Sequence, residues 1–98
     1  MTTTVLRYQV KPERAEENQQ LIMAMFAELD EGELDGFTYK VFRLEDGMSF
    51  IHVCIEHDIA DPDSLQAVPA FQAFMADLAG RCAVPPLATQ ATVVGGYR

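Results

Sequence analysis

The tightest constraint on this chain is the order in which hydrophobic periodicity changes along its 98 residues. Residues 4–11, TVLRYQVK, alternate, with Leu6, Tyr8 and Val10 on one face and Val5, Arg7 and Gln9 on the other, as a strand requires. Lys11-Pro12 breaks the alternation, and a proline is tolerated where a helix opens because its missing N–H would be unpaired there. Ala15, Asn18, Leu21, Ile22, Met25 and Leu29 then recur at three- and four-residue steps, which predicts an amphipathic helix over 13–30. Glu13, Glu16 and Glu17 sit near its positive end, and Gly32 suits its cap. Residues 36–44, GFTYKVFRL, and 49–57, SFIHVCIEH, read as strands joined by a turn at Glu45-Asp46-Gly47-Met48, where Asp-Gly is the strongest turn signal. Asp61-Pro62-Asp63-Ser64 is a break at which a short helical turn can begin. A second helix is predicted over 69–82, with Phe71, Phe74, Met75, Leu78 and Cys82 on one stripe and Pro69 at its start. Gly80 and Pro85-Pro86 end it. Residues 88–97 are the last strand, frayed or kinked at Gly95-Gly96.

The order β-α-β-β-α-β, with right-handed crossovers, puts both helices on one side of one sheet. The expectation is an α+β, ferredoxin-like single domain over 1–98, a four-stranded antiparallel sheet with two helices on one face. The other sheet face has no partner from its own chain. In the third strand, Ile51, Val53 and Ile55 point one way and Phe50, His52, Cys54 and Glu56 the other. The uniformly aliphatic set is expected beneath the helices and the mixed set on the open face. An odd-length turn or bulge pairs Phe37, Tyr39 and Val41 with the aliphatic set, and Phe42 then joins Phe50, His52 and Cys54 on the open face near Lys40. A two-residue turn reverses this pairing. Hydrophobic residues make up 49% of the chain, generous for its size, and phenylalanines on an open sheet would form a contact patch. A two-fold homodimer built sheet to sheet would cover it.

With 7 basic residues against 15 acidic ones, the net charge is -8. There is no Lys/Arg cluster, which argues against nucleic acid and anionic membranes. No apolar run approaches a bilayer span. The N-terminal stretch MTTTVLRYQV lacks a signal-peptide pattern, and Cys54 and Cys82 match no disulfide framework or zinc spacing, so reduced thiols in a cytoplasm are expected. Phosphate loops, nucleophile elbows and zinc helices are absent. The acidic stretch 28–35, ELDEGELD, lacks the ligand alternation of a calcium loop and reads as a solvated turn.

Several residues invite a sharper reading. His52, Cys54 and Glu56 could each ligate zinc, but alternate residues on a straight strand lie roughly 6–7 Å apart, so a partly polar interface is preferred and no metal is expected. A Cys54–His52 nucleophile pair needs a contact that neighbours on one strand face rarely make. Cys82 is most simply a small buried hydrophobe. His57, followed by Asp58, lies where a strand leaves the sheet, a place that carries function in many proteins, although an exposed loop residue is the simpler reading. Phe71, Phe74 and Met75 are core at helical spacing or, alternatively, walls of a cavity to which Tyr8 and Tyr39 would bring polar groups.

The segments VLRYQVKPERAEENQQL, GFTYKVFR, FIHVCIEHD and VPAFQAFMADL together resemble the antibiotic biosynthesis monooxygenase-like family of the dimeric α+β barrel superfamily, over nearly the whole chain. The resemblance implies a homodimer with facing sheets. It also implies oxidation of a small aromatic or polycyclic substrate by molecular oxygen with no cofactor. Two positions depart from the family pattern. No tryptophan follows Glu56, and no histidine lies in the few residues before Pro69, where Leu65 stands in the stretch SLQAV. These departures leave two other readings, a non-catalytic ligand-binding or interaction protein of the same fold and a haem-binding relative. On the monooxygenase reading, Tyr39, His52 and His57 are the catalytic candidates, and Tyr8, Arg43, Phe71, Phe74 and Met75 the substrate-binding ones.

Overall fold

The structure is a computed structural model that describes residues 2–32, 36–57, 65 and 67–97. Strand β1 (Thr2–Val10) leads through a 3-10 turn (Pro12–Arg14) into helix α1 (Ala15–Gly32). Strands β2 (Phe37–Arg43) and β3 (Ser49–Glu56) follow, then helix α2 (Pro69–Ala76), the short helix α3 (Leu78–Arg81) and strand β4 (Cys82–Ala91). The sheet order is β2-β3-β1-β4, and every pairing is antiparallel. This is the ferredoxin-like α+β plan. The Asp61–Ser64 break lies outside the described residues.

Helix α1 buries Ala15, Asn18, Ile22, Met25 and Leu29, the stripe its spacing predicts. Residues 28–32 continue α1 rather than starting a turn, and the rest of that acidic stretch, 33–35, lies outside the described residues. Two other expectations fail. The predicted helix over 69–82 is broken at Asp77, whose backbone (φ -123°, ψ 20°) leaves the helical region. Its carboxylate accepts a hydrogen bond from Arg14 Nη2 at 2.8 Å. The last strand begins at Cys82 rather than residue 88 and runs through Pro85 and Pro86. Because, among the described residues, β4 pairs with β1 alone and sits at the sheet edge, proline is tolerated there. The prolines sit where the register shifts, between the pairs Arg7↔Leu87 and Gln9↔Val84.

The hairpin register decides which face of β3 is buried. Arg43 pairs with Phe50, leaving residues 44–49 between them, an even number. Asp46 builds that connection by accepting hydrogen bonds from the Met48 and Ser49 amides, each at 2.8 Å. Gly47 adopts φ 75°, a conformation that other residues enter only with strain. Tyr39 and Val41 therefore share a face with Phe50, His52 and Cys54, since Tyr39 pairs with Cys54 and Val41 with His52. The expected assignment of faces is reversed: Phe50 (1% exposed) and His52 (2% exposed) lie beneath the helices. Ile51, Val53 and Ile55 lie on the open face. Phe42 is on the open face as expected and half exposed, but its neighbours are Ile51 and Val53 rather than Phe50 and His52.

The reason is packing. Tyr8 pairs with Phe50 across β1 and β3, and their rings stack at 5.7 Å between centroids. Both join Val10, Met25, Phe74 and Leu78 in the core. Large aromatic rings bury more area than Ile or Val, and the polar atoms that they bring inside find partners, as described below. A Phe50→Ala variant should lose about 3–5 kcal/mol of stability in chemical denaturation; a loss of under about 1 kcal/mol would put Phe50 outside the core.

Candidate functional site

Beneath α2, the inward faces of β1, β2 and β3 line a cavity of about 360 Å³. Leu6, Leu65, Phe71 and Met75 give it apolar walls, and Tyr39, His52, Cys54 and Glu56 bring polar groups to it. Among the described residues there is no group of three or more His, Cys, Asp or Glu that could hold a metal. Straight-strand geometry accounts for this in the His52-Cys54-Glu56 series.

His52 is the hub of the site. Its Nε2 lies 2.7 Å from Tyr8 Oη, and its Nδ1 lies 2.8 Å from Tyr39 Oη. Behind Tyr8 the contacts continue inward. Asn18 Nδ2 donates to Tyr8 Oη at 3.0 Å, and Arg81 Nε donates to Asn18 Oδ1 at 3.0 Å. Arg81 Nη2 donates to the Phe74 carbonyl at 2.8 Å, and its guanidinium lies over the Phe74 ring at 5.1 Å. The Phe74 ring also packs against His52, 5.2 Å between centroids. Five polar side chains from β1, α1, β2, β3 and α3 thus form one chain, buried except at the half-buried Tyr39, that ends at the cavity. Arg81 Nη1 has no hydrogen-bond partner among the described residues.

Burial sets the protonation states. It lowers the His52 pKa to about 4, so the ring is neutral at physiological pH. Burial also raises both phenols well above their ordinary value, at Tyr39 with Cys54 and Tyr8 adding to the effect and at Tyr8 against the opposing influence of Asn18 and Arg81. Burial, followed by the charge of Glu56, raises the Cys54 thiol. Cys54 is therefore a protonated thiol beside a histidine whose two nitrogens are already engaged, which is no nucleophile pair. Apart from the Glu56 carboxylate, the site offers neutral hydrogen-bonding groups in apolar surroundings.

The structure brings Tyr39, His52, Phe71 and Met75 around one cavity and places the other sequence candidates elsewhere. Tyr8 is fully buried behind His52, and Phe74 is core. Arg43 shares a face with Tyr39, but four residues along a strand is roughly 13 Å. It instead binds Glu16 at 3.0 Å and Gln19 at 2.8 Å on α1. His57 is exposed and lies 2.9 Å from Thr38 Oγ1. Its parity in the strand, shared with Ile55, takes it away from the cavity. Asn18 and Arg81 were missed as functional candidates. A signal for Asn18 existed, a polar residue at a core position of the apolar stripe, which demands a partner. For Arg81 the break at Asp77 hid it.

At the level of sequence, no protein-family model and no curated protein matches the chain. Solved structures do. A structure described as an antibiotic biosynthesis monooxygenase superposes with a TM-score of 0.74 at 14% identity, over 97% of this chain and 100% of the other. Rv0793 from Mycobacterium tuberculosis gives 0.75 at 15%, over 99% and 98%. A variant of SnoaB, a cofactor-independent oxygenase from Streptomyces nogalater, gives 0.70 at 18%, over 97% and 94%. At these identities the likeness establishes the fold, and it is the fold that the sequence resemblance implies.

The depressed His52 pKa makes stability depend on pH. An unfolded histidine titrates near ~6.5, above the folded value of about 4. Between the two, the unfolded state binds more protons, so stability is complete above the unfolded pKa and falls as pH drops through this window. Going from about pH 7 to about pH 5.5 should remove on the order of 1 kcal/mol, a fall of about 4–8 °C in Tm for a domain of this size. A His52→Gln variant, measured by thermal melts, should lose that part of the slope. An unchanged slope would show that His52 titrates normally.

Proposed function

We propose that this protein is a cofactor-independent monooxygenase-like enzyme of the antibiotic biosynthesis monooxygenase-like family, acting on a small aromatic or polycyclic substrate as a homodimer. The observation that carries this reading is the cavity, with its apolar walls and the half-buried Tyr39 hydrogen-bonded to the buried His52. Flat aromatic rings suit walls made by Leu6, Phe71 and Met75. In chemistry of this class the substrate itself, once deprotonated beside a ring carbonyl or phenol, reduces molecular oxygen. The protein's part is to exclude water, hold the ring and stabilise negative charge on the substrate oxygen. A neutral Tyr39–His52 pair can do that by hydrogen bonding. With a pKa of about 4, His52 is a poor general base, so the substrate's proton passes to solvent water and the cavity holds the resulting anion. The structural neighbours described as antibiotic biosynthesis monooxygenase and cofactor-independent oxygenase support the same class.

The missing tryptophan and histidine of the family pattern favour a second reading, a binding protein of this fold without turnover. For the haem-binding reading, His52 would have to give up one of its two tyrosine hydrogen bonds to ligate iron.

Oxygen uptake with a panel of anthrones and hydroquinones distinguishes the first two readings. Turnover that falls on the order of 10–100-fold in Tyr39→Phe is the expected outcome; tight binding without oxygen consumption would select the binding protein. The homodimer is supported by the open sheet face, where Phe42, Val53 and Ile55 border one groove and Leu87 is 67% exposed. Sedimentation should find dimers of the parent protein and monomers of Phe42→Glu, because a charge buried in such an interface is costly. Monomers of both would remove the facing-sheet arrangement.

A further inference from the structure

The chain of buried side chains has a direction, and this direction assigns a task to two residues distant from the cavity. Arginine only donates hydrogen bonds. The Asn18 atom facing Arg81 Nε at 3.0 Å is therefore the carbonyl oxygen Oδ1, and the amide's Nδ2 must face Tyr8 and donate to its oxygen. Tyr8 Oη then holds one proton to give. Its partners among the described residues are Asn18 Nδ2, which cannot accept, and His52 Nε2, which can. A buried hydroxyl proton without an acceptor is unfavourable, so Nε2 is the unprotonated nitrogen. In a neutral ring the proton is then on Nδ1, which donates to Tyr39 Oη 2.8 Å away. With its oxygen accepting from His52, the Tyr39 hydroxyl has its own proton without an acceptor among the described residues, and Tyr39 borders the cavity.

We propose that Arg81 and Asn18 are positioning residues that fix the Nδ1–H tautomer of His52 and thereby hold the Tyr39 hydroxyl as a proton donor aimed at a carbonyl or phenolate oxygen of the cavity's ligand. The inference rests on the reading of the cavity as an aromatic ligand site and adds the polarity of its polar end. It also accounts for a fully buried arginine that has no carboxylate partner of its own among the described residues. A carboxylate at position 18 would accept from both Arg81 and Tyr8 and reverse every bond beyond it. Tyr8 would give its proton to that carboxylate, His52 would carry its proton on Nε2, and Tyr39 would donate to Nδ1 instead of to the cavity.

Asn18→Asp tests this with almost no change of shape. The imidazole nitrogens are read by heteronuclear NMR at about pH 8, where the ring is neutral. Binding is measured with anthraquinone, which only accepts hydrogen bonds, and with anthracene, a similar shape with no acceptor. The parent should show Nδ1–H and prefer anthraquinone. The variant should show Nε2–H and lose about tenfold of that preference, with anthracene binding unchanged. An Nε2–H tautomer in the parent, or an unchanged tautomer in the variant, overturns the proposal; the parent spectrum alone decides this should the variant not fold. The tautomer switch with no binding of either probe would uphold the polarity and overturn the ligand reading beneath it.

Discussion

The burial of His52 between two tyrosines is the constraint from which the rest of the structure follows. An imidazole taken out of water needs both nitrogens satisfied, and here one phenol meets each, at 2.7 Å and 2.8 Å. Tyr8 comes from β1 and Tyr39 from β2, so the two contacts tie the strands on either side of β3 to the same inward face. A slip of one residue in either pairing would turn a tyrosine outward and leave the histidine unpartnered. The requirement continues inward: the Tyr8 hydroxyl needs Asn18, whose carbonyl in turn takes the Arg81 guanidinium. Each polar group is tolerated because the next one satisfies it.

The same arrangement shapes the cavity. Hydrogen-bonding groups reach it from the core side, and Phe71 and Met75 from α2 and Leu6 from β1 supply apolar wall. Burial keeps His52 neutral and the phenols and Cys54 protonated. With Glu56 as the acidic group among its lining residues, such a site can orient and polarise a flat ligand mainly through neutral hydrogen-bonding groups. The aliphatic residues of β3 that do not pack beneath the helices, Ile51, Val53 and Ile55, enrich the open face instead. One choice of parity in β3 therefore decides both the inner chemistry and the outer surface.

Much of the architecture was legible because local periodicity carries it. The stripe from Ala15 to Leu29 could only be a helix, and Asp46-Gly47 could only be a tight connection between two strands. The fold resemblance came from the same segments. The errors came where local pattern was ambiguous. Ile51, Val53 and Ile55 look more core-like than Phe50 and His52 when read one at a time. The number of residues between the paired Arg43 and Phe50 is even, but this could not be read from Asp-Gly alone. Pro85-Pro86 signals the end of an element unless the strand is known to be an edge, and Asp77 breaks a helix whose apolar stripe continues past it. Arg43 and His57 were plausible site residues by type, and strand length and parity place them away from the cavity.

The sequence by itself determined the order of the elements, the ferredoxin-like plan and the presence of two tyrosines and a histidine on strands that would become neighbours. These depend on interactions within a few residues and on general rules of chain connection. Only the tertiary structure decided which face of β3 turns inward, and that Asn18 and Arg81 complete the chain behind His52. The pairing of side chains 44 and 63 residues apart depends on register and on the competition among all buried groups for partners, which no local pattern encodes.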